Sequence, residues 1–129
     1  MSVLEGFTAF DFDIGVASAS ITANGVTFNK AVIAKMGFPP YVRLLISEEQ
    51  KQIAIQVCDE YTPHAIAFYK EKGENEVFRS VRWNSRDLLN SISDMMDWDL
   101  KEVAHRVDGK LFPQEKAMIF DLAKARDLL

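Results

Sequence analysis

Apolar and polar residues alternate through Val42, Leu44 and Ile46, and again through Ile53, Ile55 and Val57. A period of two is what a strand with one buried face requires, and the polar run Ser47–Lys51 between the two segments predicts the bend of an antiparallel hairpin. Just upstream, Lys30 to Met36 predicts a short helix. Gly37-Phe38-Pro39-Pro40 ends it, because glycine suits the position past a helix terminus and proline cannot continue the helix. Phe7 to Ile14 and Ala17 to Thr22 read as strands leading into this unit.

The second half of the chain repeats the theme at greater length. Leu88, Leu89, Ile92, Met95 and Met96 fall at helical spacing and predict an amphipathic helix from about Arg86 to Trp98. Asp94, Asp97 and Asp99 crowd its end, where the helix dipole disfavours anions, so fraying is expected there. Glu102 to Val107 then reads as a strand, Asp108-Gly109 as a tight turn, and Lys116 to Leu122 as a closing strand with Met118, Phe120 and Leu122 toward the core. Ala123 to Leu129 reads as a short helical tail docking through Leu128 and Leu129. Between the halves, Asp59 to Pro63 reads as a linker and His64 to Lys70 as a strand. Glu71 to Glu76 reads as an exposed turn leading into a strand from Val77 to Trp83.

A short internal echo links the halves: Val26-Thr27-Phe28-Asn29-Lys30 and Val81-Arg82-Trp83-Asn84-Ser85. Each is followed by a helical segment and then by alternating strands, which is the mark of a repeated supersecondary unit. The expected fold is therefore α+β, a mostly antiparallel β barrel or sandwich with two helices, built by internal duplication of a strand-helix-hairpin unit. The approximate units are 17–58 and 64–122, within a single domain spanning 1–129. Asn29 and Asn84 precede the two helices and read as N-caps, with Asp87 completing a capping box after Asn84.

Composition narrows the setting. At 129 residues the chain suits one core, and 48% hydrophobic with 26% charged residues is ordinary globular usage. A single cysteine, Cys58, excludes an internal disulfide. The start of the chain carries Glu5, Asp11 and Asp13 in place of a basic, apolar leader, and no stretch approaches membrane-spanning length. The expectation is a cytoplasmic protein with no membrane partner. Net charge is −4, which argues against a surface that is one continuous nucleic-acid footprint. Neither half is basic, with four Lys/Arg against five Asp/Glu up to Cys58 and eleven against fourteen beyond it.

The run GVTFNKAVIAKMGFPPYVRLLISEEQKQIAIQV, with its glycine turn, short strand, short helix and hairpin, resembles AbrB/MazE-type transcription-factor domains. The resemblance covers residues 20–58 and, more loosely, 77–122. It implies a swapped-hairpin barrel, usually assembled from two chains, that binds operator DNA through the strand-to-helix junction. Two copies in one chain would then form the equivalent barrel alone. The family's proline and arginine at that junction are replaced here by Asn29-Lys30 and Asn84-Ser85-Arg86. The chain is also similar to small bacterial or prophage-encoded proteins that end in a strand of the type Ile119-Phe120-Asp121-Leu122, a likeness that implies no activity.

Arg79, Arg82 and Arg86, punctuated by Trp83, form the notable cluster, with Lys30 at the corresponding junction of the first unit. Guanidinium groups suit bidentate contacts with phosphate or guanine. The competing reading is a solvated face paired with Glu74, Glu76 and Asp87. Catalytic chemistry finds little footing. Cys58 could be paired with His64 or His105, but Asp59 and Glu60 beside it are unlike the electropositive setting of a reactive thiolate. Asp11-Phe12-Asp13 places two carboxylates on one strand face, which alternation explains without a metal. His105 shares a strand face with Val103 and Val107 and reads as a hydrogen-bonded histidine at the core edge. No phosphate-cradling glycine loop or metal-ligand spacing is present. The sequence thus points to a non-enzymatic protein without cofactor or metal, an AbrB-like DNA-binding or antitoxin-type regulator, as a homodimer or other homo-oligomer. The alternative is a protein-interaction or structural module with a protein partner.

Overall fold

The computed structural model describes residues 3–8, 15–70 and 80–128. The strand expected over Phe7–Ile14 falls mostly outside the described residues, as do Arg79, the turn Glu71–Glu76 and Leu129. Among the described residues the fold is α+β, with two α-helices and a sheet of nine antiparallel strands. Strands β1 (Ser18–Thr22) and β2 (Gly25–Phe28) precede α1 (Lys30–Lys35), and β3 (Tyr41–Ser47) with β4 (Gln52–Val57) forms the predicted hairpin. A two-residue strand β5 (Ile66–Ala67) follows, then β6 (Val81–Trp83), α2 (Arg86–Met96), β7 (Ala104–Phe112), β8 (Ala117–Asp121) and β9 (Arg126–Leu128).

The strand order is β5-β3-β4-β8-β7-β1-β2-β6, with β9 also against β7. In that order β2 and β8 are separated by β7 and β1, which in a flat sheet would hold them about 14 Å apart. Yet the rings of Phe28 on β2 and Phe120 on β8 meet at 5.6 Å. The sheet therefore curls into a half-barrel around its apolar face. Its two ends approach as well: Phe68, just past β5, lies 5.6 Å from Phe28 and 5.9 Å from Trp83 of β6. Phe28, Phe120, Ile21, Ile33, Ile53, Ile55, Ile92 and Met118 are fully buried in this core. Met118, Phe120 and Leu122 point inward, as the alternation requires.

Asn29 caps α1 and does more than cap. Its Oδ1 accepts from the amides of Val32 and Ser18, while its Nδ2 donates to the Val16 carbonyl and to Ser18 Oγ. One side chain thus pins the first turn of α1 to the start of β1.

At the second helix the expectation needs correction. Ser85, not Asn84, is the N-cap, its Oγ accepting from the Leu88 amide at 3.2 Å. The helix begins one residue later relative to its strand than α1 does. Asp87 then stands at the second helical position, where it complements the dipole but closes no capping box with Asn84. Ser85→Ala should cost about 1 kcal/mol of stability, whereas Asn84→Ala should change it by less than about 0.5 kcal/mol. Urea unfolding midpoints of the two variants separate these outcomes, and equal losses would contradict the assignment.

Helix α2 ends at Asp97 in the left-handed conformation, with the Trp98 amide donating to the Ser93 carbonyl. Lys51 Nζ reaches across from the β3–β4 turn to the Met95 carbonyl at 2.8 Å. A cation at the negative end of the helix offsets the acidic residues gathered there.

Two further expectations fail for identifiable reasons. Asp108-Gly109 is no turn: β7 runs straight through it, and the reversal is made by the 3-10 turn Pro113–Glu115 with Lys116 left-handed. Gly109 is where β7 exchanges its neighbour on one edge, from β9 to β8. A Cβ there would lie 2.6 Å from Met118 Sδ and 2.7 Å from Phe120 Cε1, so the glycine serves close approach rather than positive φ. The tail is also not an α-helix. A 3-10 turn at Leu122–Lys124, held by the Asp121 carboxylate accepting from Ala123 N, leads into β9, which pairs with the remaining edge of β7.

Candidate functional site

The β2–β6 ladder sets the geometry of the predicted basic residues. It is antiparallel, with Val26 opposite Trp83, Thr27 opposite Arg82 and Phe28 opposite Val81. Arg82 is exposed in the middle of β6, and its Nη2 donates to the Asn24 carbonyl in the β1–β2 turn at 3.2 Å. Arg86 opens α2 just past the Trp83 end and is exposed. Lys30 opens α1 past the Phe28 end, so it stands at the opposite end of the ladder from Arg86. The fold brings Arg82 and Arg86 to one junction beside Asn24 and holds Lys30 apart; Arg79 lies outside the described residues.

Neither Arg82 nor Arg86 forms an ion pair with a described carboxylate. The ion pairs among the described residues are Arg126–Asp108 at 3.2 Å and His105–Asp127 at 3.6 Å. Asp87 is therefore not a partner of either arginine, and Glu74 and Glu76 lie outside the described residues.

A cleft of about 450 Å³ opens at this junction. Asn24 and Asn84 form one end with Arg86; Leu89, Asn90 and Ser93 of α2 form its wall; Trp98, Asp99, Leu100 and Lys101 close it. Sequence reasoning had no cue to Asn24, Trp98 or Lys101. Arg86, Asn90 and Ser93, however, recur at four- and three-residue spacing, and so share one polar face of α2. That stripe is the signal for the site, overshadowed by the apolar stripe beside it.

The chemistry of the cleft is that of unused donors. The side chains of Asn84, Arg86, Asn90 and Lys101 make no hydrogen bond to a described residue. Asp99, the one anion in the lining, turns back on its own loop, its Oδ1 accepting from the Lys101 amide at 3.1 Å. Trp98 is held by His105, the two rings lying 3.7 Å apart and nearly parallel. His105 is buried, faces Asp127 across the β7–β9 ladder, and so sits at the edge of the core as expected.

A second hollow, about 350 Å³, lies on the other side of Asn84 and is mostly apolar, with Leu44, Ile66, Trp83 and Leu88 in its walls. The indole N–H of Trp83 is buried without a partner among the described residues. Cys58 is half-buried at the end of β4. Asp11 and Asp13 are outside the described residues. Among the described residues no three His, Cys, Asp or Glu side chains converge as a metal site would require, and no helix is long and apolar enough to cross a membrane.

No protein-family model matches the chain, and neither the curated proteins nor the solved structures contain one that is significantly similar to it.

Proposed function

We propose that the chain is a non-enzymatic DNA-binding regulator of AbrB-like design, in which two β-β-α-β-β units of one chain take the place of two chains. Support for the duplication comes from the pairing pattern. Relating β1 to β5, β2 to β6, α1 to α2, β3 to β7 and β4 to β8 carries each described pairing among β1–β8, except the β1–β2 hairpin, onto another or onto itself. The β2–β6 ladder is centred on Thr27 and Arg82, and the β4–β8 ladder on Ala54 and Ile119. The Val57 amide donates to the Lys116 carbonyl, and, in the matching place, the Leu122 amide donates to the Lys51 carbonyl. Lys51 and Lys116 are both left-handed, at φ 58° and 52°, at the ends of the two hairpin turns.

The observation that carries the functional reading is the pair Arg82 and Arg86, exposed and without carboxylate partners among the described residues at the strand-to-helix junction. Under the duplication, Lys30 marks the symmetry-related junction. A local cationic site of this kind can contact phosphate despite the net charge of −4. The protein should retard mixed genomic DNA fragments at low salt, and the Arg82→Ala, Arg86→Ala double variant should lose the complex while keeping its fold. A wild-type protein that retards nothing at low salt would end this reading.

A second reading is a protein-interaction module. Leu45 and Ile46 on the β3–β4 hairpin are 40% and 44% exposed, and among the described residues the outer edge of β3 is paired only at Tyr41 and Val42. Light scattering across protein concentrations distinguishes the two, since a stable oligomer indifferent to DNA favours the module.

A further inference from the structure

The cleft beside α2 has a shape and donor set more specific than a phosphate contact needs. Arg86 stands at the start of the helix, Asn90 one turn on, and Ser93 beside Trp98, whose amide bonds the Ser93 carbonyl at 3.0 Å. From Arg86 to Ser93 the helix rises about 10 Å, comparable to the reach of one nucleotide from phosphate to base. At one end is a guanidinium, unpaired among the described residues, near the positive terminus of α2; at the other is an indole backed by His105. Between them Asn90, and beside Arg86 Asn84, offer paired donor and acceptor groups with no described protein partner.

We propose that this cleft binds one unstacked nucleotide, its phosphate on Arg86, its base on the face of Trp98 turned away from His105, and its polar edge on Asn90. A base inside a duplex offers no free face for stacking, so such a cleft selects single-stranded over double-stranded nucleic acid. It goes beyond the reading of an operator-binding regulator and rests on it only for the junction at which a strand would enter. The ligand chemistry, a nucleoside 5′-phosphate, is shared by a free mononucleotide and by one unit of a strand. Lys101, on the Trp98 side of the cleft, adds a second cation, unpaired among the described residues and suited to a neighbouring phosphate of a strand.

The test titrates the whole protein with a short mixed-sequence single-stranded oligodeoxynucleotide, the same sequence as a duplex, and a nucleoside 5′-monophosphate. Indole fluorescence and an independent binding measurement are followed together. The single strand should bind about tenfold or more tighter than the duplex and quench the indole. Trp98→Phe, which keeps a ring against His105, should abolish the quench, and Asn90→Ala should weaken single-strand binding about five- to tenfold. Quenching by the monophosphate at concentrations no higher than the strand requires would assign the free nucleotide as the occupant. Duplex bound as tightly as single strand, with a silent indole, overturns the nucleotide cleft and leaves the DNA-binding reading standing. Should neither polymer bind, that reading fails, and the monophosphate arm decides the cleft: a Trp98-dependent quench sustains it, and none overturns it.

Discussion

Phe28→Ala should lower the stability of the chain by about 3–5 kcal/mol, the range for removing a large ring from a packed core. Phe28 is fully buried on β2, and its ring meets Trp83 at 5.0 Å, Phe68 at 5.6 Å and Phe120 at 5.6 Å. Those partners come from β6, from the segment after β5, and from β8, so the ring joins the end strands of the half-barrel to its middle. Small domains hold about 5–15 kcal/mol in total, and the variant should lose a large part of it in a single cooperative transition. Urea unfolding followed by circular dichroism measures the loss. A cost below about 1 kcal/mol would mean that the half-barrel does not close around this residue.

Gly25→Ala is expected to cost about 3 kcal/mol, by a different mechanism. Gly25 has φ +152°, and a Cβ there would lie 2.6 Å from the Trp83 carbonyl oxygen and 3.3 Å from Asn84 Cα. The obstruction is backbone, which cannot rotate away as a side chain can, so β6 itself must move. Conformational strain and overpacking each contribute about 1–3 kcal/mol in such cases. Gly37 provides the control: it has φ +83° but open space around its would-be Cβ, so Gly37→Ala should show the strain alone, about 1 kcal/mol. Because the displaced atoms belong to Trp83 and Asn84, Gly25→Ala should also disturb the arginine junction while Gly37→Ala leaves it intact. Equal losses for the two variants would contradict this account.

What the sequence made legible was local. The period of two through Val42–Ile46 and Ile53–Val57 set the β3–β4 hairpin, and the stripe Leu88, Leu89, Ile92, Met95 and Met96 set α2, because each pattern is determined by neighbours within a few residues. Asp108-Gly109 misled because the dipeptide signals a turn only when the chain is free to turn. Here β7 is held along its length by β1, β8 and β9, and the glycine answers to Met118 and Phe120 across the ladder. The tail at 123–129 misled for a related reason, since its strand exists only because an edge of β7 is open to it. The cap at α2 turned on one residue of spacing, which the five-residue echo could not resolve. At the site, the arginines were visible as charge, but their separation from Lys30 follows from the antiparallel β2–β6 ladder. Asn24 comes to the cleft from the β1–β2 turn, remote in sequence from the β6–α2 junction, and Trp98 and Lys101 come from the loop past the far end of α2.

Binding of nucleic-acid phosphates by Arg82 and Arg86 should be visible in the salt dependence of DNA binding. Removing the cation that neutralises one phosphate should reduce the slope of log K against log salt by about one. Wild-type protein should bind with a clear negative slope, and Arg82→Ala with Arg86→Ala should flatten it by about two while leaving the unfolding midpoint within the range of surface substitutions. An unchanged slope in the double variant, or no DNA binding by the wild-type chain at low salt, would contradict the account.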